Sequence, residues 1–559
     1  MRTYIYTIMI SLSATLIIAA EVDSTFSVKW TDLPWGGGGL HPDGPPWNMV
    51  GPYDFDNDGY GDFIVTSSYT GSFCNGVYHF EAVANDSIAL QWYYYFGDLS
   101  CAPDNYSSVA VSDLDGDNVP EILVLADTEP GTPGGHGLQI FEWNTDSLSF
   151  PYMPTTTWDM GLDSVWEAGQ IVAAELDGDA NQEVVVSIMN GPWGTTGSSH
   201  FMIFELENSD LDSASWHIEY TDPITTNWSG YNIYVNDLDQ DGLMEIYTIA
   251  YEYYRLIIYE NMGSEDLYSY QTDFYVSNEV NERANQSLVM ANFDGNNTNE
   301  LYAVTSGTDN FVGTLLTPGY FYAIEGSDDV SNITFSNFHY FNHYQGGLRQ
   351  INTGDADMDG KPNLYLAGHY NEAVYDWEFV GDDPLSDSSF IEHIIFLDDT
   401  TDNGCDGTWA GCWTRIAKLF SGDIDNDNIG DIVFTSASLE ALKPHIYFLE
   451  HDGSSELVTD DIEAMIPKST SLDQNYPNPF NPQTQFHYSL SKTENIYLAI
   501  YDLLGREIFT IHNGMQREGN HNVQWTGVDN AGDLVPSGIY FCRLTSERDM
   551  LTKKMVLNR

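Results

Sequence analysis

One acidic motif recurs seven times along the chain, each time directly before a run of apolar residues. The first copy is DFDNDGYGDFIV at residues 54–65, where Asp54, Asp56, Asp58 and Asp62 occupy relative positions one, three, five and nine. The other copies begin 55 to 68 residues apart, at Asp113, Glu175, Asp237, Asn292, Asp355 and Asp423. A period of this length indicates a repeat architecture in which each repeat is one supersecondary unit.

Each motif lies among four segments that alternate or are rich in β-branched and aromatic residues, a pattern typical of strands. Four strands in each of seven repeats predict an all-β fold, a seven-bladed β-propeller over residues 21–455. The seventh copy lacks a fourth strand after IYFLEHDG, and residues 26–33 (FSVKWTDL) could supply it. That strand would join the two ends of the ring and remove open edges. An open β-solenoid is the alternative.

The motif also predicts a metal. Alternate side chains in a tight loop can direct several oxygens at one centre, and calcium takes six to eight oxygen ligands. Position six needs a sharp turn, which suits Gly59, Gly242 and Gly360; Asn118, Asn297 and Asn428 tolerate it, whereas Ala180 fits less well. A metal-free Asx-rich turn is the alternative, but four carboxylates in one loop repel each other unless a cation lies between them.

We therefore predict up to seven structural calcium ions, held by side chains at positions one, three, five and nine and by the carbonyl of position seven. The predicted ligands are Asp54, Asp56, Asp58, Tyr60 and Asp62; Asp113, Asp115, Asp117, Val119 and Glu121; Glu175, Asp177, Asp179, Asn181 and Glu183; Asp237, Asp239, Asp241, Leu243 and Glu245; Asn292, Asp294, Asn296, Thr298 and Glu300; Asp355, Asp357, Asp359, Lys361 and Asn363; and Asp423, Asp425, Asp427, Ile429 and Asp431. The copies at Asn292 and Asp355 have fewer acids and should bind most weakly.

The DxDxDGxxD spacing before an apolar strand resembles the FG-GAP or VCBS repeats of integrin α-subunit heads and many bacterial surface proteins. The resemblance covers residues 26 to about 455. It implies structural rather than catalytic calcium. It does not specify the function, because such propellers serve adhesion, sugar binding and some lyases.

Charge narrows the possible partners. The 559 residues include 84 acidic and 18 basic ones, a formal net charge of −66. That balance argues against binding nucleic acid or an anionic membrane surface. Disorder is excluded by the 42% hydrophobic and 14% aromatic content, which can form a large core. We expect a monomer.

The N-terminus predicts export. Arg2 precedes an apolar stretch at residues 5–18 and the small pair Ala19-Ala20, so residues 1–20 are typical of a signal peptide. The alternative is a membrane anchor, but the run is short for a span. No other stretch is long and apolar enough to cross a bilayer.

Disulfides are possible in an exported chain. Proximity favours the pairs Cys74–Cys101 and Cys405–Cys412, with Cys542 left over, although four cysteines allow three pairings. No CxxC pair is present, which makes a zinc site an unattractive interpretation.

The C-terminal segment differs in charge and pattern. A polar linker at 456–471 leads to residues 472–559, where QFHYSL, IYLAIYDLLG, HNVQWTG, GIYFCRL and KKMVLNR predict a small Ig-like β-sandwich. The set NYPNPFNP (475–482), YDLLGRE, PSGIYFCRL and terminal KKMVL closely resembles the C-terminal sorting domain of the type IX secretion system. The resemblance implies export across the outer membrane, with release or surface attachment and cleavage of this domain. A plain Ig-like accessory module is the alternative.

No catalytic motif emerges: GxSxG, HExxH, Walker and Rossmann patterns are all absent from the sequence. Loops between the second and third strands of the repeats carry Tyr69, His136, Trp193, Phe311 and His369, which would converge on one face of a propeller. Exposed aromatic rings suit sugar or protein binding, although packing at blade ends is the alternative. We expect a non-catalytic surface module that binds a glycan or protein. A secreted carbohydrate-active enzyme such as a polysaccharide lyase is the second possibility, disfavoured by the scarcity of arginine.

Overall fold

The chain divides into two compact units, Met1–Ser455 and Glu456–Arg559. The structure is a computed structural model. In the first unit it describes residues 25–32, 46–67, 76–96, 107–126, 137–158, 160, 166–178, 181–190, 200–208, 210–221, 229–250, 255–264, 266–276, 285–296, 298–305, 308–310, 314–317, 320–341, 348–368, 373–397, 416–436 and 444–452. In the second unit it describes residues 470–472, 474–475, 478, 480, 484–490, 494–503, 505–516, 519–525, 527–530, 534–546 and 550–558. The predicted signal peptide lies outside these residues.

The first unit is all-β and contains seven four-stranded antiparallel sheets, named here sheets 1 to 7 in chain order. Sheets 1 to 3 comprise β2 (Pro46–Tyr53), β3 (Asp62–Ser67), β4 (Gly76–Ala84) and β5 (Ser87–Tyr95); β6 (Ser108–Ser112), β7 (Glu121–Ala126), β8 (Gly137–Glu142) and β9 (Thr156–Trp158); and β10 (Trp166–Ala174), β11 (Glu183–Asn190), β12 (His200–Leu206) and β13 (Trp216–Thr221). Sheets 4 to 6 comprise β14 (Ser229–Asn236), β15 (Glu245–Ala250), β16 (Arg255–Asn261) and β17 (Tyr268–Tyr275); β18 (Asn285–Ala291), β19 (Glu300–Thr305), β22 (Phe321–Glu325) and β23 (Phe338–Phe341); and β24 (Leu348–Gly354), β25 (Asn363–Gly368), β26 (Ala373–Phe379) and β27 (Phe390–Leu397). Sheet 7 comprises β28 (Ile416–Gly422), β29 (Asp431–Ser436), β30 (Ile446–His451) and β1 (Phe26–Thr31).

Sheet 7 combines the two ends of the first unit. The N-terminal strand β1 pairs antiparallel with β30, from Phe26 opposite His451 to Thr31 opposite Tyr447. The buried Asp32 carboxylate then accepts the backbone N–H groups of His445 and Ile446 at 2.8 and 2.9 Å. Residues 26–31 thus supply the fourth strand that the sequence lacks after the seventh motif.

Neighbouring sheets pack face to face through shared apolar clusters. In β3, Phe63 and Val65 belong to a cluster with sheet 7, whereas the intervening Ile64 belongs to a cluster with sheet 2. Each later sheet packs in the same way against the one before it. Because both faces of the second strand are covered, its sequence is a continuous hydrophobic run rather than an alternation of apolar and polar residues.

The first strands of the sheets contact each other in chain order, and β28 of the last sheet contacts β2 of the first. Polar groups join these strands across sheets. The Asn48 side chain donates to the Ser107 carbonyl at 3.3 Å, and Asn352 donates to the Leu419 carbonyl at 3.1 Å. The series of sheet contacts therefore returns to its starting point.

The only helical elements among the described residues are 3-10 turns, at Leu211–Ser213, Val330–Asn332, Phe335–Asn337 and Asp387–Ser389. Sheet 5 also carries a small hairpin, β20 (Thr308–Asn310) and β21 (Thr314–Thr317), within a segment that the sequence analysis treated as a loop.

The second unit contains two antiparallel sheets that share one hydrophobic core. The first contains β31 (Ser471–Leu472), β32 (Thr484–Leu490) and β35 (Gly519–Trp525); the second contains β33 (Glu494–Asp502), β34 (Glu507–Gln516), β36 (Gly538–Thr545) and β37 (Met550–Leu557). Strand β34 was missed by the sequence analysis. Its apolar residues Ile508, Phe509 and Ile511 are only partly buried against the core, which explains the weak pattern.

Candidate metal centres

The seven acidic motifs form the loops between the first and second strands of the seven sheets. They are named here L1 (54–62), L2 (113–121), L3 (175–183), L4 (237–245), L5 (292–300), L6 (355–363) and L7 (423–431). In every sheet, position nine of the motif is the first residue of the second strand. These seven side chains are almost fully buried, with at most 2% of their surface exposed. The motif therefore places one acid or amide at the buried start of each second strand.

Left-handed backbone at two positions makes each loop tight. Position six has φ of 93° at Gly59, 68° at Asn118 and 91° at Gly242, as the sequence predicts. Position four also has positive φ in all seven loops, which the sequence analysis missed; its occupants are Asn57, Gly116, Gly178, Gln240, Gly295, Met358 and Asn426. Ala180 and Asn297, the remaining occupants of position six, lie outside the described residues.

The first and fifth positions turn their oxygens inward by binding the backbone. In L1, Asp54 accepts the N–H of Gly59 at 3.1 Å, and Asp58 accepts that of Tyr60 at 2.8 Å. The same pair of hydrogen bonds recurs in L2, L4, L6 and L7. These bonds hold several carboxylates of one loop around a common centre.

The side chains come close enough to share a cation in several loops. In L2, Asp113, Asp115, Asp117 and Glu121 each place one oxygen within 4.8 Å of the others, and Asp237, Asp239, Asp241 and Glu245 do the same in L4. L1 brings together Asp54, Asp56 and Asp58, and L3 brings together Glu175, Asp177 and Glu183. Asp179, the remaining predicted ligand of L3, lies outside the described residues.

The carboxylates at position nine are buried and have strongly raised pKa values. One oxygen of Glu121 accepts the N–H of Leu114 at 2.7 Å, and Glu245 accepts that of Leu238 at 2.7 Å. The other carboxylate oxygen has no hydrogen-bond partner at Glu121, Glu183, Glu245, Glu300 and Asp431. Burial raises the pKa of Glu121, Glu183 and Glu245 to about 9, and that of Glu300 and Asp431 to about 8. A buried carboxylate with an unpaired oxygen is unfavourable unless a cation or a proton neutralises it.

A second set of acids escaped the sequence analysis. The third strand of six sheets has a glutamate directly opposite position nine, and in sheet 3 the glutamate follows Phe204, which pairs with Val184. These residues are Glu81, Glu142, Glu205, Glu260, Glu325, Glu378 and Glu450. These glutamates are visible in the sequence, because each third-strand run contains one, as in VYHFEA and LIIYEN. Burial, followed by the loop acids, raises the pKa of Glu81 and Glu260 to about 7.

Histidine and lysine side chains contact some of these acids. In sheet 1, His79 Nε2 lies 2.6 Å from Asp62 Oδ1. In L6, the Lys361 ammonium donates to Asp359 at 2.6 Å, and position nine is the neutral Asn363. In sheet 7, Lys29 of β1 pairs with Glu450. L6 therefore carries its own cation as well as one acid fewer.

Turns from the next sheet reach two of the loops. The N–H of Asp86, in the β4–β5 turn of sheet 1, donates to Asp425 of L7 at 2.7 Å. The N–H of Val330 in sheet 5 donates to Asp239 of L4 at 3.0 Å. In both loops the acceptor is position three, so this side chain links its loop to the neighbouring sheet.

The other candidate residues are not placed by the structure. Tyr69, His136, Trp193, Phe311 and His369 lie outside the described residues, as do Cys74, Cys101, Cys405 and Cys412. Cys542 has a free, buried thiol in the second unit, and burial raises its pKa well above the usual range. Within the described residues, no helix is long and apolar enough to span a membrane.

Comparison with known proteins identifies the second unit. Residues 474–558 match the family model described as the secretion system C-terminal sorting domain. No curated protein matches the sequence. Among solved structures, the chain is similar to PorZ of Porphyromonas gingivalis, described as an essential bacterial surface component of the type-IX secretion system.

The likeness to PorZ is distant, with 12% identity and a TM-score of 0.37. It covers 91% of this chain but only 60% of PorZ, so the chain spans less than two thirds of that protein. The family match alone shows that the C-terminal unit carries a secretion-system sorting domain, which directs the protein through the type IX system to the cell surface or the medium.

Proposed function

We propose that the first unit is a seven-bladed β-propeller of the FG-GAP/VCBS type, stabilised by up to seven calcium ions, and that the exported protein is a non-catalytic module for binding a glycan or protein. The C-terminal unit would be the small β-sandwich that the sorting machinery recognises. Sheets that pack in sequence, with the seventh against the first, support the ring.

The observation that carries the calcium proposal is the buried carboxylate at position nine, with one oxygen bound to the backbone and the other unpaired. This donor set fits calcium, a hard cation that prefers carboxylate and carbonyl oxygens. The side chains at positions one, three, five and nine and the carbonyl of position seven would hold the ion. The ion would supply positive charge and fix the turn, which is a structural role.

Calcium content and thermal stability test this proposal. The exported chain should retain calcium after dialysis, by elemental analysis, with L5 and L6 the first sites to lose it. Addition of a chelator should lower the melting temperature far more than an equal change in ionic strength. If the protein holds no calcium and the chelator leaves its melting temperature unchanged, the proposal is wrong.

The binding role requires a separate experiment. The protein should be tested on a polysaccharide array with and without calcium, and the sugars examined afterwards for cleavage. Binding without products supports a non-catalytic module. Cleavage products would contradict that role and favour a carbohydrate-active enzyme, whereas a blank array would count against the glycan interpretation and favour a protein ligand or a structural role.

A further inference from the structure

A partly open cavity of ≈ 280 Å³ is lined by the first strands of six sheets, β2, β6, β10, β14, β18 and β28. Apolar residues form part of its wall, with Val50, Ile171 and Leu288 among them. The polar side chains along it are Tyr53, Gln170, Asn232, Tyr234, Ser287 and Lys418. Although the chain has 84 acidic residues, none of the described residues lining this cavity is acidic.

Lys418 is the cationic group of the cavity. It lies just after an irregularity in β28, where the register shifts between Ile416 and Lys418. Its backbone N–H donates to the Thr435 hydroxyl at 3.1 Å, which anchors the displaced strand. An irregularity of this kind redirects a side chain from its regular alternation. The bulged strand thereby presents a lysine to a cavity that is otherwise neutral.

A second cation lies nearby. Arg349 is on β24, the first strand of sheet 6, which contacts β28, and only 4% of its surface is exposed. Burial first, and the Arg349 charge second, lower the pKa of Lys418 from 10.5 to about 8. None of the described residues that line the cavity is an acid that could pair with the Lys418 ammonium. An anion in the cavity would neutralise the Lys418 charge.

We propose that this cavity binds a small organic carboxylate, whose charged group pairs with the Lys418 ammonium. The apolar wall fits a carbon skeleton better than an inorganic anion. The volume lies below the roughly 300–1,000 Å³ of pockets for drug-sized ligands, so the ligand is small. The tyrosine, glutamine, asparagine and serine side chains provide hydrogen bonds to further polar groups. The site is independent of the calcium centres, and its test does not require them.

Benzoate and its neutral analogue benzamide are suitable probes, because they have similar shapes and differ in charge. Binding is measured by calorimetry or ligand-observed NMR at fixed ionic strength, since the net charge of −66 repels free anions. Benzoate should bind at least tenfold more tightly than benzamide. Equal binding of both, no benzoate binding, or binding of inorganic phosphate alone would each overturn the proposal.

Two variants separate charge from packing. Lys418→Met keeps a similar length without the charge and should weaken benzoate binding at least tenfold, whereas Lys418→Arg should retain it. Lys418→Met also removes a buried charge, so it should melt no lower than the parent protein and remain folded for the assay. Unchanged benzoate binding in folded Lys418→Met would overturn the assignment.

A pH series gives an independent readout. The titratable and charged groups at the cavity are Tyr53 and Tyr234, whose pKa values burial raises, Lys418, and the neighbouring Arg349. Among these groups at the cavity, only Lys418 changes its charge from pH 7 to 9.5, so benzoate affinity should fall by up to about 30-fold. The Lys418→Arg variant should show no such fall. A loss of affinity of the same size in that variant would contradict the role of Lys418.

Discussion

Replacement of Glu121 with glutamine distinguishes a calcium centre from a metal-free acidic turn, because only at a calcium centre does the effect of the substitution on stability depend on calcium. Glu121 has no exposed surface, accepts the Leu114 N–H at 2.7 Å, and has a pKa raised to about 9 by burial. Glutamine keeps an oxygen for that hydrogen bond but carries no charge. The substitution therefore removes the ability to ionise and little else.

Without calcium, the substitution should stabilise the protein. Keeping the Glu121 carboxyl protonated at pH 7, against an ordinary pKa of 4.5, costs about 3 kcal/mol, and glutamine avoids this. For a unit of this size, that difference raises the melting temperature by about 3 °C. With saturating calcium, a site weakened 10- to 100-fold loses about 1–3 kcal/mol of ligand-linked stabilisation, which offsets much or all of this gain, so the melting temperature should rise much less than in the chelator, or not at all.

The assay is thermal unfolding of the full exported chain in a chelator and in millimolar calcium, at equal ionic strength. Glu207→Gln is a matched control, because Glu207 is an exposed acid on the turn after β12 and outside the loops. It should change the melting temperature little in either buffer. An equal shift for Glu121→Gln in both buffers would refute the calcium centre at L2.

Three further outcomes are expected. Lys361→Gln removes the ammonium that binds Asp359 at 2.6 Å, so calcium titration should show several-fold tighter binding at L6. Unchanged calcium affinity would contradict competition between the Lys361 ammonium and the calcium ion. Asp32→Ala leaves two buried backbone N–H groups without their acceptor and should destabilise the first unit by about 2–4 kcal/mol in thermal unfolding. Asp32→Asn keeps an acceptor and should lose less stability. Equal losses of stability in the two variants would count against the role of these hydrogen bonds. Cys542 should react with a maleimide only after denaturation, because its thiol is buried, and rapid labelling of the native chain, followed by mass spectrometry, would show that this core opens.

The sequence predicts well those features that repeat. Because position nine recurs before an apolar run, the motif locates the start of the second strand in all seven sheets. The missing strand after the seventh motif likewise predicts that residues 26–33 complete the last repeat, and residues 26–31 pair with β30. Both inferences depend on local pattern alone, which one sequence contains in full.

Features that depend on register or on distant contacts were not predictable. The third-strand glutamates are visible as letters, but only the pairing of Glu121 with Glu142 shows that they face the loop acids. The contact between Asp86 and Asp425 joins residues far apart in sequence, and nothing local marks either one. Lys418 looks like any strand lysine until the irregularity in β28 is known.

Neutralisation differs among the loops, and this difference predicts where calcium matters most. L1, L6 and sheet 7 each have a basic partner, His79, Lys361 and Lys29 respectively. Within the part of the chain that the structure describes, no ion pair involves the acids of L2 or L4, which are also the loops that gather four carboxylates.

In each of these two loops the position-nine glutamate also faces another glutamate across the sheet, and like charges directly opposite each other destabilise a sheet. Chelation should therefore increase hydrogen exchange in β7 and β15 more than in β25, which begins at the neutral Asn363 and follows a loop with its own lysine. Uniform protection loss across the three strands would mean that the charge of each loop does not determine its dependence on calcium.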